Sequence, residues 1–114
     1  MITLQNIDSS MIANNLTPFE PTHPGSLIRD ELEERKISQA KLAKQIGVSA
    51  SLLNEVINGK RAVNTELALL LEASLGIAAH IWLDLQADYN MQVAKSDTSF
   101  MSRLANIRRI AAVL

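Results

Sequence analysis

Cysteine is absent from the 114 residues. Disulfides, thiolate nucleophiles and Cys-ligated zinc are therefore excluded. Long apolar runs are also missing, and none approaches the roughly 20 residues that a membrane-spanning helix needs. Glycine and proline are scarce, at 4 and 3 residues. Strand signals are few, so helices are the expected elements. Residues 1–6 show no basic stretch leading into an apolar one, so no secretory signal is expected and the cytoplasm is the predicted compartment. The two histidines, His23 and His80, stand alone, without partners at metal-ligand spacing. No metal or other cofactor is expected; His23 is read as a cap-region residue and His80 as a first-turn residue. No Ser/His/Asp set, phosphate loop or pair of catalytic carboxylates is present, so the chain is not expected to be an enzyme.

What is present describes a globular chain. Hydrophobic residues make up 47% and charged residues 20%, enough for one compact domain with a modest core. The net charge is only −1, which by itself argues against a polyanionic partner. Its distribution argues the other way. Residues 1–35 carry a net of −4 and residues 62–94 another −4, while residues 36–61 carry +4 and residues 95–114 carry +3. Residues 36–61 owe their charge to Lys36, Lys41, Lys44, Lys60 and Arg61 against Glu55 alone. Local patches, not the total, steer polyanions.

Residues 1–22 show no helical period and contain two X-Pro steps that disfavour helix, so they read as an arm. A first helix is expected from Pro24, with Leu27, Ile28 and Leu32 inward and an acidic outer face. Ser38 is the expected cap of a second helix, whose inner residues are Leu42, Ala43 and Ile46 and which Gly47 ends. Ser49 caps a third, with Leu52, Leu53, Val56 and Ile57 buried and Asn58-Gly59 closing it. Asn64 caps a fourth, with Leu67, Leu70, Leu71 and Leu75 inward and Gly76 as its stop. A fifth is expected from about Ala78 to about Ala94, carrying Ile81, Trp82, Leu85 and Tyr89. Residues 95–99 read as a polar linker. A last amphipathic helix places Phe100, Leu104, Ile107, Ala111 and Leu114 on one stripe.

Residues 39–56 carry the informative motif. Ala43 is small enough for two helices to pass closely, Gly47 reverses the chain, Val48 plugs the turn, and Ser49 starts the next helix. Leu42, Ile46, Leu53 and Val56 lock the pair. The third helix then projects Ser51, Asn54, Glu55 and Asn58 at spacing i, i+3, i+4, i+7. This pattern is that of a helix-turn-helix whose second member enters a DNA major groove. A plain helical hairpin with a polar exterior is the alternative. Asn suits the adenine edge and Ser either role. Lys60 and Arg61, just after the third helix, can reach phosphates. Ser38 and Gln39 open the second helix, whose N–H groups favour an anion. The candidate DNA-facing set is Ser38, Gln39, Ser49, Ala50, Ser51, Asn54, Glu55, Asn58, Lys60 and Arg61. Lys41 and Lys44 read equally well as phosphate contacts or as solvated side chains.

The same residues carry a family resemblance. His23-Pro24-Gly25 with Leu27-Ile28 and Glu31-Leu32, then Ile37-Ser38-Gln39, Gly47-Val48-Ser49 and the run from Leu53 to Arg61, resemble the HigA antitoxins, a branch of the Xre (lambda-repressor-like) family. The block Trp82-Leu83-Asp84-Leu85-Gln86, preceded by Leu75-Gly76, is similar to the Trp-Leu-Asn-Leu-Gln block of that branch. Two positions depart from it: Ala50 stands where many relatives have a polar or basic residue, and Ala78-Ala79 replaces a Ser/Thr-Pro cap. The resemblance covers residues 23–91. It implies an all-α, lambda-repressor-like fold for the helix-turn-helix domain of about five helices (23–94); the arm (1–22) and the C-terminal amphipathic helix (95–114) rest on the sequence pattern alone. It also implies an antitoxin that neutralises a RelE-like ribonuclease toxin, HigB, and represses its own operon.

Two other readings stand beside it. One is a toxin-binding module that does not touch DNA, which would have no need of the basic block. The other is a stand-alone Xre-type regulator with no toxin. A homodimer on a palindromic operator is expected, since one recognition helix offers few base contacts. The fifth helix and the terminal stripe are its candidate interface; equally, that stripe can pack back on its own core.

Overall fold

The structure, a computed structural model, describes residues 21–113. The arm expected over residues 1–22 lies, up to residue 20, outside the described residues. Among those described there are six helices and no strand: α1 (Pro24–Arg35), α2 (Gln39–Ile46), α3 (Ala50–Ile57), α4 (Thr65–Leu75), α5 (Ala79–Lys95) and α6 (Thr98–Ala111). The fold is all-α, as the composition implied.

Every described helix but α5 starts where a polar side chain accepts from the orphan N–H groups of the first turn. Ser38 Oγ accepts from Lys41 N at 3.1 Å and Ser49 Oγ from Leu52 N at 3.0 Å. Asn64 Oδ1 accepts from Leu67 N at 2.8 Å. His23 caps α1 through Nδ1, which accepts from Gly25 N at 2.9 Å. Ala78 gives α5 no side-chain cap; instead the Trp82 indole donates to Ile77 O at 3.1 Å and holds the entry to the helix. Gly47 ends α2 at φ 77°, a left-handed conformation without steric penalty only for glycine.

The core is built from α1 to α5. Ile28, Leu42, Leu53, Val56, Ala68, Leu71 and Trp82 are wholly buried, joined by Leu32, Ala43, Ile57, Val63, Leu67 and Leu75. Gly25 brings α1 against the end of α3. A Cβ there would lie 2.1 Å from the Val56 carbonyl oxygen and 2.7 Å from that of Ile57. Arg35 closes the far end of the same helix by donating to Leu75 O at 2.6 Å, at the C-terminus of α4.

Three expectations need correction. The inner face of α5 is Trp82 and Gln86, both buried, with Tyr89 half-buried, whereas Ile81 is 41% exposed. Position 81 lies a sixth of a turn or more off the line joining 82, 86 and 89, the line that meets α1 and α4. The linker of residues 95–99 shrinks to Ser96 and Asp97, because Asp97 Oδ1 accepts from Phe100 N and so starts α6 early. The stripe of α6 does not return to the core: none of its residues is buried, and Phe100, Ile107 and Ile110 are exposed. Leu114 lies outside the described residues.

Candidate nucleic-acid interface

The turn between α2 and α3 is only three residues long, and its geometry sets the site. Val48 N donates to Ala43 O at 3.0 Å, folding the chain back over α2. Ala43, 2% exposed, lets α3 cross close by, and Leu42 and Leu53 lock the crossing from beneath. Ser51, Asn54 and Asn58 are thereby left on the outer face of α3.

Gln39, the first residue of α2, joins them. Asn54 Nδ2 donates to Gln39 Oε1 at 3.1 Å, and Asn58 Nδ2 donates to Asn54 Oδ1 at 3.1 Å. The N-terminus of α2 and the face of α3 therefore form one polar surface. Ser38 and Ser49 lie at its edge; their oxygens cap the helices, and each hydroxyl keeps its proton for another acceptor. Ala50 is exposed at the first position of α3. Lys60 is exposed just beyond its end. Arg61 is differently engaged: its guanidinium pairs with Glu55 at 2.8 Å. Glu55 is thus turned along the helix toward Arg61, and the pair contributes little net charge.

One residue of this surface escaped the sequence reading. Arg29, on α1, donates from Nη2 to Asn58 Oδ1 at 2.8 Å. In the sequence it stands within the acidic stretch of residues 1–35. A signal did exist: Gly25 implies close contact with the end of α3, and residue 29 is one turn further along the same face of α1.

His23 lies behind the surface. Its ring meets Tyr89 edge-on at 4.8 Å between centroids. Burial lowers its pKa, since the charged form loses its water. With Nδ1 accepting from Gly25 N, the ring is neutral and protonated at Nε2.

Two short helices at a fixed angle, the second with an exposed polar face, define a helix-turn-helix unit. The helix-turn-helix family model matches residues 28–82. Virulence-associated protein I of Dichelobacter nodosus is 36% identical over 76 residues, spanning 66% of this chain and 70% of that protein. An addiction module antidote protein of the HigA family from Coxiella burnetii has 29% identity and a TM-score of 0.67, over 75% of this chain and 95% of that one. Pseudomonas aeruginosa antitoxin HigA, solved with the higBA promoter, has 31% identity and a TM-score of 0.65, over 83% of this chain and 96% of that one. The chain belongs to the Xre-type helix-turn-helix family, with HigA-type antitoxins among its structural neighbours. Proteins of this class act by binding and are not enzymes. No helix among the described residues is long and apolar enough to cross a membrane.

Proposed function

We propose that this chain is a cytoplasmic antitoxin that binds a palindromic operator in double-stranded DNA as a homodimer, represses its own operon and neutralises a RelE-like HigB toxin. The observation that carries the DNA reading is the continuous polar surface of Gln39, Ser51, Asn54 and Asn58, backed by a rigid core and flanked by Lys60. Placed in a major groove, α3 offers its amides to base edges, while Ser38, Ser49 and the first N–H groups of α2 and α3 meet phosphates. Ala50 at the head of α3 can offer only an apolar contact, suited to a thymine methyl. Likeness to an antitoxin solved with its promoter supports the same reading. The toxin reading rests on likeness to the HigA-type antidotes, together with acidic stretches that suit a basic ribonuclease.

Binding to duplex DNA from upstream of its own gene is the direct test. Asn54→Ala is expected to weaken specific binding by about 1–3 kcal/mol. Lys60→Ala is expected to weaken all duplexes alike and to flatten the salt dependence by about one unit. Unchanged operator binding by the Asn54 variant would remove that residue from the base-reading surface. For the toxin, the neighbouring small reading frame should arrest growth alone and not when this chain is co-expressed. A harmless neighbour would leave a stand-alone regulator.

A further inference from the structure

We infer that Arg29, on a helix outside the helix-turn-helix unit, is a positioning residue that sets the direction of the amides that read DNA. The inference rests on the DNA-binding reading above. The guanidinium carries five N–H donors and no acceptor, so the atom of Asn58 that faces it must be the carbonyl oxygen, as observed at 2.8 Å. Asn58 then turns its NH2 toward Asn54, which must answer with its own oxygen at 3.1 Å. Asn54 in turn points its NH2 at Gln39 Oε1, also at 3.1 Å. One unambiguous donor at the start of the chain fixes three amides that would otherwise be free to flip.

The orientation has a chemical consequence. Asn54 uses one N–H and one lone pair within this chain of hydrogen bonds. One N–H and one lone pair remain on the same amide. A side-by-side donor and acceptor is the complement of an adenine edge, whose N7 accepts and whose N6 amino group donates. A flipped amide would present them in the opposite order and lose the match. No ion pair to Arg29 is present among the described residues, so its orienting role is not shared with a carboxylate.

The test uses the duplex site that wild-type protein selects from a random library, in three forms: unmodified, with each adenine replaced in turn by 7-deazaadenine, and scrambled. Wild type is expected to lose about tenfold at one adenine per half-site when N7 is removed, the size of one good base contact. Arg29→Met should lose about tenfold on the unmodified site. It should no longer distinguish adenine from 7-deazaadenine there, and should keep wild-type salt dependence and wild-type binding to scrambled duplex. Arg29→Lys, which retains a donor, should recover part of the loss. In an Asn58→Ala background, Arg29→Met should cost nothing further, because its effect passes through Asn58. A salt slope reduced by about one unit, or an equal cost in the Asn58→Ala background, would make Arg29 a phosphate contact and overturn the inference. So would a wild-type preference that Arg29→Met leaves intact, in which case DNA recognition itself stands. No wild-type preference for any duplex would instead remove the DNA reading together with this inference. Arg29 is exposed, so melting of each variant should match wild type.

Discussion

Two residues at the start of α1 decide how that helix docks. His23 caps it only while Nδ1 is unprotonated, because the acceptor of the Gly25 N–H is a lone pair that protonation removes. Burial lowers the folded-state pKa below the ordinary 6.5, so the unfolded chain binds the proton first. Stability is therefore complete above about pH 6.5 and falls as pH drops through the interval between the unfolded and folded values. His23→Asn keeps a capping oxygen and removes the titration. Urea midpoints across this range should slope downward with acid for wild type and show less slope for the variant; equal slopes would exclude His23 as the source. Gly25 acts by absence of a side chain. Its Cβ would overlap two carbonyl oxygens of α3, so Gly25→Ala should cost about 3 kcal/mol or more. At Gly47 there is open space, and only the left-handed φ of 77° opposes a side chain. Gly47→Ala should cost about 1 kcal/mol. Thermal melting of the two variants orders the effects.

At the scale of elements, the caps and the hydrophobic spacing were legible because each reports a local physical need. Ser38, Ser49 and Asn64 sit where N–H groups lack partners, and Gly47 and Gly76 where the chain must turn left-handed. Leu42, Ala43, Leu53 and Val56 fix the α2–α3 crossing, and their spacing was enough to expose Asn54 and Asn58. What could not be read depends on contacts between distant segments. Arg29 looked like part of an acidic face until α1 was laid against α3. Gln86 on α5 is another case, buried despite its polar side chain: its Oε1 accepts from Val63 N at 2.8 Å and its Nε2 donates to Asn90 Oδ1 at 3.0 Å. The side chain thus anchors the loop from α3 to α4, which carries the exposed Lys60. Replacing Gln86 by Ala leaves a buried N–H without a partner, a cost of about 1–3 kcal/mol. Because the loop loses its anchor, hydrogen exchange at Val63 and its neighbours should accelerate more than exchange in α2. Uniform acceleration would mean that Gln86 serves global stability only.

For the whole molecule, the decisive quantities are the number of base contacts and the exposure of α6. One α3 carries about three side chains able to read bases, each worth about 1–3 kcal/mol. Specific binders exceed their non-specific affinity by about 4–10 kcal/mol, so a single copy reaches that range only if every one of these contacts is a good one. The net charge of −1 gives little general attraction to DNA to make up the difference. Two copies related by a two-fold axis double the contacts and require a palindrome with half-sites about one helical turn apart. The surface expected to serve that pairing is on α6, whose main packing partner is α5 and which leaves Phe100 at 37%, Ile107 at 53% and Ile110 at 52% exposed. An apolar stripe on an amphipathic helix is a surface suited to being covered by a partner. Arg103, Arg108 and Arg109 occupy the rest of α6, and the acidic α4–α5 region of a second copy is their expected counterpart. Full-length protein should therefore be a dimer by light scattering at micromolar concentration. A version ending at Lys95 should be monomeric, keep its helix-turn-helix fold by circular dichroism and bind operator far more weakly. Ile107→Asp in the intact chain should give the same result without shortening it. A monomeric wild type that binds operator tightly would defeat the dimer, and a dimer that survives both changes would place the interface on α5 or elsewhere.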